Sequence, residues 1–180
     1  IYSYQPGKPY SLSNGWIWAL YTDSEGRLWA AGDGGFYLYL PEHDGFYNYQ
    51  KGNDHPGIQG QSYFAITEAP NGNIWFASKY SGLTEFDINK ASFKAITQQA
   101  GAYGSLSSNE IMDLTFDKEG NLWVATFDSG LNLRRQGNSQ FEHFNQQSGK
   151  TIPSNKPRTL YLDQDGSLWV GTEDKGVFVF

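Results

Sequence analysis

Three histidines are the residues of this 180-residue chain best suited to acid–base catalysis or metal binding, because imidazole titrates near neutral pH and is a common metal ligand. They are His43, His55 and His143, and their spacing matches no metal-ligand motif. The chain has no cysteine, so disulfides and thiolate metal sites are excluded. We therefore expect surface or loop histidines, with no catalytic residue, no metal and no other cofactor.

A short acidic stretch, DQDG at residues 163–166, resembles the start of a calcium-binding loop. An EF-hand loop needs Gly at its sixth position and Glu at its twelfth, whereas here Gly is fourth and Asp174 is twelfth. The related stretches DSEG and DKEG occur elsewhere in the chain, which indicates a tight turn between strands. No nucleophile elbow, phosphate-binding loop or dinucleotide-binding fingerprint is present. The sequence therefore predicts a protein that is not an enzyme.

Charge and composition exclude further classes of function. The net charge of −6 and the pI near 4.9 argue against nucleic-acid binding, which needs a basic surface. No apolar run approaches the roughly 18 residues of a transmembrane helix, so we expect no membrane insertion of this segment. The 17% of aromatic residues favours β-structure, and 21 glycines indicate many turns.

An internal repeat organises the whole chain. The stretch DKEGNLWVATFDSGL at residues 117–131 recurs as DSEGRLWAAGDGGF, APNGNIWFASKYSGL and DQDGSLWVGTEDKGV. The repeated tryptophans are separated by 46, 48 and 46 residues, and a second marker, an aliphatic residue opening each repeat, keeps the same spacing. The tryptophans are Trp29, Trp75, Trp123 and Trp169, and the second markers are Leu12, Ile58, Leu106 and Ile152. We predict an all-β fold, a β-propeller made of four-stranded antiparallel blades, with four repeats of 46–48 residues.

The predicted units form a single propeller or propeller fragment over residues 1–180. They are an outer strand at 1–4, blades at 11–50, 57–97 and 105–145, and a last blade at 151–180 that lacks its fourth strand. Residues 1–4 count as an outer strand because Ile1 precedes Phe46 by 45 residues, close to the period.

The pattern S-x-N-x-I-x-x-L-x-x-D-x-x-G-N-L-W-V-A-T-x-x-x-G-L at residues 107–131 resembles the two-component regulator propeller repeat. This resemblance covers the chain as four tandem copies, although Ala69 replaces the turn aspartate in the second and the first is one residue short. It implies a periplasmic ligand-sensing or interaction domain of a bacterial membrane receptor with a kinase or diguanylate cyclase output. In several such systems the ligand is an oligosaccharide or another small nutrient. The implied partners also include other propeller blades or a second copy of the receptor.

Two alternatives to a sensor remain open. A lectin-like propeller would bind glycans without signalling. A propeller enzyme is suggested by NGNIWFAS at residues 71–78, which also resembles repeats of the streptogramin lyases. The enzymes of that family use a His-based site with a metal near the channel, and no histidine here falls on a predicted inner strand.

The number of blades in the intact ring is also open. A closed four-blade ring would need the N-terminal strand to complete the last blade, which would remove exposed sheet edges. We favour a fragment or half of a larger ring, because members of the family usually carry more repeats. Two chains forming an eight-blade ring are a further alternative.

Positions at which the repeats differ are the best candidates for a binding site, because a ligand seldom has the symmetry of the ring. The repeat tryptophans, which every copy shares, are predicted to pack between blades. One position near the start of the innermost strand varies fully: it is Trp18, Phe64, Met112 or Arg158.

The loops leading into that strand, and the loops after the tryptophan strand, emerge on the same face of the propeller, where binding usually occurs. The leading loops are residues 54–60, 98–105 and 146–151, and the others include Lys79 and Asp174. Stacking and charge-assisted bonds would suit a sugar or a small anion. The candidate ligand-binding residues are Trp16, Trp18, Phe64, Tyr80, Met112, Phe127, Asp128, Arg158 and Lys175.

Overall fold

The computed structural model describes residues 1–52, 54–149 and 152–180, and it confirms the predicted all-β propeller of four blades. Blade 1 contains β1 (Ile17–Thr22), β2 (Leu28–Gly32), β3 (Gly35–Leu40) and β4 (Gly45–Tyr49). A single 3-10 turn (Pro41–His43) precedes β4. Blade 2 contains β5 (Tyr63–Glu68), β6 (Ile74–Ser78), β7 (Leu83–Asp87) and β8 (Ser92–Ile96).

Blade 3 contains β9 (Ile111–Phe116), β10 (Leu122–Thr126), β11 (Leu131–Arg134) and β12 (Phe141–Phe144). Blade 4 contains β13 (Pro157–Leu162), β14 (Leu168–Thr172) and β15 (Val177–Val179). Each blade is one antiparallel sheet with strands in chain order, and the innermost strands β1, β5, β9 and β13 lie side by side in that order. We call the side with the D-x-x-G turns the turn face, and the side with the loops after the tryptophan strands the loop face.

Apolar seams between consecutive blades form the core. Trp29 and Phe36 of blade 1 pack against Ile66 and Phe76 of blade 2. Trp75 of blade 2 packs into a cluster with residues of blade 3. In the third seam the fully buried side chains are aliphatic, and partly buried aromatic side chains such as Trp123 and Phe178 pack against them. The four aliphatic markers that open the repeats are all buried, at 6% exposure or less. The repeat therefore reflects a requirement for packing that every seam imposes.

The outward faces of the first and last blades are open to solvent. Leu20 of blade 1 is 68% exposed, whereas Ile66, at the same repeat position, is buried against blade 1. At the other end Trp169 is 43% exposed, whereas Trp29 is 1% exposed. An apolar side chain on the face of a blade is thus buried only where a neighbouring blade covers that face. Trp29 and Trp75, which are covered in this way, have the packing role predicted for the repeat tryptophans.

Residues 1–4, predicted as an outer strand, form no strand in the structure. Tyr2 packs edge-on against Phe46 and Tyr39 of blade 1 and donates a hydrogen bond to Asp44. Aromatic and hydrogen-bond partners on the outer part of blade 1 hold this segment there, and β15 forms the edge of a three-stranded sheet. No helix among the described residues has the length and apolarity needed to cross a membrane.

Candidate functional site

The fully varying repeat position lies on a β-bulge in every blade. The pairing of each innermost strand with its neighbour skips one residue, and the skipped residues are Trp18, Phe64, Met112 and Arg158. A bulge leaves one residue out of the ladder and redirects its side chain, which is common next to binding sites. The scaffold thus presents the most variable side chain of each repeat at its least regular backbone position.

A second varying position is bound to the start of the same strand. The residue four after each repeat tryptophan donates its backbone N–H to a carbonyl just before the bulge. These bonds are Asp33 to Trp16 at 2.9 Å, Lys79 to Ser62 at 2.9 Å, Phe127 to Glu110 at 2.9 Å and Glu173 to Lys156 at 3.0 Å. One conserved backbone bond therefore places two varying side chains next to each other in every blade.

We call the two varying residues of each blade a bulge pair; the pairs are Trp18/Asp33, Phe64/Lys79, Met112/Phe127 and Arg158/Glu173. In blade 1 the indole Nε1 of Trp18 donates to Asp33 Oδ1 at 3.2 Å. In blade 2 the Lys79 ammonium lies 5.6 Å from the centre of the Phe64 ring. In blade 4 the Arg158 guanidinium donates to the Glu173 carboxylate. Three of the four bulge pairs thus join complementary groups.

Four of the predicted site residues come together across blades 1 and 2. The ring centres of Trp16 and Trp18 are 5.7 Å apart, and those of Trp18 and Phe64 are 5.3 Å apart. The Lys79 ammonium also lies 5.1 Å from the ring centre of Tyr80. Trp16, Trp18 and Tyr80 are exposed, at 63%, 48% and 63%. These side chains form an aromatic surface that is accessible from the loop face.

A cleft of about 720 Å³, the blade 1–2 cleft, opens beside this aromatic surface. Asp33, Lys79 and Tyr80 line it together with hydroxyl and amide side chains such as Ser62 and Gln61. Asp33 is held in place because Ser62 Oγ donates to its Oδ1 at 2.6 Å. The cleft therefore offers one carboxylate, ammonium groups and uncharged hydrogen-bonding groups next to apolar rings.

Blades 3 and 4 hold Arg158 in internal contacts instead. Its guanidinium lies 4.4 Å from the centre of the Phe127 ring and donates to the Phe127 carbonyl oxygen at 2.6 Å. The hydrogen bond from Arg158, and a second from Lys156 at 3.3 Å, lower the pKa of the Glu173 carboxyl below its usual value. The charge predicted to attract a ligand is thus already neutralised by the neighbouring side chain.

The other predicted site residues, Met112, Asp128 and Lys175, belong to neither of these two groups. Met112 packs, partly buried, against the apolar seam of blades 3 and 4. Asp128 accepts a hydrogen bond from Ser129 Oγ at 3.0 Å, and Lys175 is exposed on its loop. Of the predicted loops, residues 54–60 contribute Gln59 to the blade 1–2 cleft. Lys150 and Thr151, at the end of the predicted loop 146–151, lie outside the described residues.

The histidines lie away from the innermost strands. His43 stacks on Tyr10 with ring centres 4.0 Å apart, His55 sits among aromatic rings, and His143 on β12 contacts the Ser105 carbonyl at 2.7 Å. Within residues 1–52, 54–149 and 152–180, no three His, Asp or Glu side chains are grouped so as to hold a metal ion.

Sequence reasoning missed Asp33 and Glu173. Neither residue is singled out in the sequence analysis, because the copies of the repeat are aligned position by position only along the innermost strand. The same comparison, applied four residues after each tryptophan, yields Asp33, Lys79, Phe127 and Glu173, a set as varied as the bulge residues. Two varying positions, with complementary chemistry in three of the four copies, are the signal that would have found the bulge pairs.

Solved structures support the fold. The extracellular domain of a protein named as a hybrid two component system from B. thetaiotaomicron aligns with a TM-score of 0.82 and 24% identity, over 94% of this chain and 24% of that one. A second such domain from the same organism aligns with a TM-score of 0.75 and 18% identity, over 96% and 22%. Virginiamycin B lyase from Staphylococcus aureus aligns with a TM-score of 0.64 and 16% identity, over 98% and 57%. The chain spans about a quarter of the length of the first two, and these identities show the fold alone.

Sequence comparison identifies the repeats. Among curated proteins, none matches this chain. The model of the family described as two component regulator propeller matches residues 11–34, 105–128 and 151–174. These segments lie in the first, third and fourth repeats, and the unmatched second repeat is the one in which Ala69 replaces the turn aspartate. These matches confirm the resemblance of three of the four repeats to the two component regulator propeller family.

Proposed function

We propose that this chain is a non-catalytic sensor domain on the periplasmic side of a bacterial membrane receptor, which binds a short oligosaccharide or similar nutrient in the blade 1–2 cleft. The observation that carries the proposal is the position of this cleft, of about 720 Å³, beside the exposed rings of Trp16, Trp18 and Tyr80. The match of three repeats to the two component regulator propeller family supports the receptor context, as does the fold shared with the extracellular domains from B. thetaiotaomicron.

The chemistry of the cleft suits a sugar. The apolar faces of a pyranose ring pack on aromatic side chains, while its hydroxyls need both donors and acceptors. Here Asp33 supplies acceptors, Lys79 supplies donors, and the amide and hydroxyl groups of Gln61 and Ser62 supply both. The polar groups around the cleft outnumber its single carboxylate, so recognition of a neutral or weakly acidic ligand needs no compensating metal ion.

The scaffold holds this site rigidly. Asp33 is fixed by its backbone bond to Trp16, by Ser62 and by Trp18, so little side-chain entropy is lost when a ligand binds. Asp33 and Ser62 also pair across the two blades. A ligand in the cleft would contact both blades, which makes the relative position of blades 1 and 2 the natural quantity for a signal to change.

A propeller lyase is the second candidate, favoured by the TM-score of 0.64 with virginiamycin B lyase. The positions of His43, His55 and His143, all away from the innermost strands, argue against it. A lectin-like propeller would use the same cleft without signalling. The full gene separates the sensor from both alternatives, because a sensor requires a membrane span followed by kinase or cyclase sequence.

A thermal-shift screen of the protein with short neutral and acidic oligosaccharides tests the proposal. A ligand present at 100 times its Kd stabilises the folded state by about 2.7 kcal/mol. For a protein of this size that corresponds to a rise in Tm of roughly 5 to 10 °C. A panel in which no sugar raises the Tm contradicts the proposed ligand class.

Matched variants locate the site. Trp18→Ala and Tyr80→Ala remove exposed rings, so we expect them to weaken the response to the best sugar by about tenfold or more with little change in the Tm of the free protein. Arg158→Ala is the control, because its guanidinium is already bound to Glu173 and Phe127. Loss of binding in the control with normal binding in the other two would move the site to blades 3 and 4.

A further inference from the structure

Three of the four blades share a hydrogen bond at the turn face. The aspartate of the D-x-x-G turn accepts the indole N–H of the repeat tryptophan six residues later. The Nε1–Oδ2 distances are 2.8 Å for Trp29 and Asp23, 3.0 Å for Trp123 and Asp117, and 2.8 Å for Trp169 and Asp163. A carboxylate oxygen is thus the standard partner of this indole in the repeat.

Blade 2 lacks this carboxylate. Ala69 stands at the position of the aspartate and keeps the same turn, with its N–H bonded to the Asn73 carbonyl at 2.8 Å. Trp75 is only 1% exposed, and its Nε1 has no acceptor within hydrogen-bond distance in the described part of the chain. A buried donor without a partner destabilises the fold, so an unpaired indole at this position calls for an explanation.

The next blade places a cation on the same tryptophan. Phe86 and Phe180 stand at the position of Arg134 in the neighbouring repeats, and they contact Trp29 and Trp123 with ring centres 5.9 and 5.3 Å apart. In blade 3 the Arg134 guanidinium carbon lies 4.4 Å from the centre of the Trp75 ring instead. The seam that has lost a carboxylate has therefore gained a guanidinium.

Arg134 is poorly compensated in this seam. It forms no ion pair with the carboxylates of residues 1–52, 54–149 and 152–180. Burial lowers the pKa of its guanidinium, and the charge of Glu85 partly opposes that effect. The Glu85 carboxylate is itself held by Asn73 Nδ2 at 2.9 Å. A guanidinium stacked on a ring keeps its in-plane N–H groups for an acceptor at its edge.

A cavity of about 190 Å³ opens at this point on the turn face. Ala69, Trp75 and Arg134 line it, together with the adjoining turns of blades 2 and 3. Its volume suits the head of a small organic acid. Glu85 also lines the cavity, and its negative charge favours a singly charged ligand over a doubly charged one.

We propose that this cavity binds the carboxylate of a small monocarboxylic acid, which accepts hydrogen bonds from Trp75 Nε1–H and the edge of the Arg134 guanidinium. The ligand carboxylate accepts the indole hydrogen bond that the turn aspartate accepts in the other three blades. The site lies on the turn face, opposite the blade 1–2 cleft, and it does not depend on the function proposed for that cleft.

The indole ¹H–¹⁵N signal of Trp75 tests this proposal directly, with Trp75→Phe used to assign it among the six tryptophans. Sodium acetate replaces sodium chloride stepwise at constant ionic strength and neutral pH. We expect a saturable downfield shift of the Trp75 signal, because its proton gains a charged acceptor, with no comparable shift of the Trp29 signal. A Trp75 signal that does not move, or that moves linearly without saturation, overturns the proposal.

Two variants sharpen the test. Ala69→Asp supplies the carboxylate from the chain itself, so its Trp75 signal should lie downfield without acetate and should no longer respond to it. Arg134→Phe installs the side chain found at the equivalent positions in blades 2 and 4, which preserves the seam, and should weaken acetate binding by roughly tenfold or more. Unchanged acetate affinity in Arg134→Phe would contradict the site, and an equal response to inorganic phosphate would contradict the carboxylate class.

Discussion

At the loop face, the side chains at the same two repeat positions make different contacts in two seams. One seam lies between blades 1 and 2, and the other lies between blades 3 and 4. Trp18 is half-exposed and donates its indole N–H to Asp33, which lines the blade 1–2 cleft together with Lys79. Arg158 is enclosed between Phe127 and Glu173, and its bulge pair forms an ion pair within one blade. The backbone bulge and the backbone hydrogen bond that place these residues are the same in both seams.

The difference shows that side-chain identity, and not backbone geometry, decides which seam stays open. An indole N–H occupies only part of the hydrogen-bonding capacity of a carboxylate and leaves its own ring faces free. In a guanidinium that is paired with a carboxylate and stacked on a ring, the charge is neutralised and a flat face is covered, so neither is free to contact a ligand. A repeat scaffold can thus have an open seam and a closed seam without any change of fold.

The cores beneath the two seams also differ, and this difference predicts the largest change in the free energy of unfolding. Phe76 and Val170 occupy the same repeat position and are fully buried. Phe76 stacks on Phe36 with ring centres 3.8 Å apart, whereas Val170 packs among aliphatic side chains. We expect Phe76→Ala to lower the free energy of unfolding by about 3–5 kcal/mol and Val170→Ala by about 2 kcal/mol, because the first leaves the larger cavity. Urea unfolding followed by circular dichroism measures both.

Equal costs for the two substitutions would show that the aromatic seam relaxes around the missing ring. Trp169→Ala is a useful third variant, because Trp169 lies on the open face of blade 4 and is 43% exposed. It should cost clearly less than the same substitution at Trp29, although both tryptophans belong to the same repeat motif.

Much of this architecture can be predicted from the sequence, because packing imposes the same demand on every copy. The regular spacing of the tryptophans aligned with Trp29, and of the aliphatic residues aligned with Leu12, identifies the blades. The varying position of Trp18 identifies the residue that lies on the bulge. These features depend on local pattern and on repetition, which a single sequence displays directly.

The state of each varying residue could not be predicted in the same way. Arg158 was expected to face a ligand, but its neutralisation by Glu173 depends on the backbone bond between residue 173 and residue 156, which only the folded register brings about. The exposure of Leu20 likewise depends on which blade lies next to it, and the residue itself is as apolar as Ile66. Contacts across seams are long-range, so local pattern does not determine them.

Replacing the bulge pair of blade 1 with that of blade 4 tests whether side-chain identity decides which seam stays open. Trp18→Arg combined with Asp33→Glu gives blade 1 the pair of blade 4, so we expect sugar binding to weaken by about tenfold or more. The new ion pair lies at the surface and should change the free energy of unfolding by no more than about 1 kcal/mol. Isothermal titration calorimetry measures the first effect and urea unfolding the second. Full sugar affinity in this double variant would show that the Trp18/Asp33 pair is not part of the site.

The smallest expected effect concerns the charge state of Glu173. Its pKa is lowered mainly by the hydrogen bond from Arg158 and secondarily by that from Lys156, so Arg158→Met should raise it towards the usual glutamate value, and Lys156→Met should raise it less. A lowered glutamate pKa stabilises the fold above the unfolded-state value, near 4.3, and this contribution disappears as the pH falls through the folded-state pKa. Carboxyl ¹³C chemical shifts of Glu173 measured against pH give the value in each variant. If Arg158→Met leaves the pKa unchanged, the ion pair does not persist in solution. Arg158 would then be free to meet a ligand, and the closed seam would become a second binding seam.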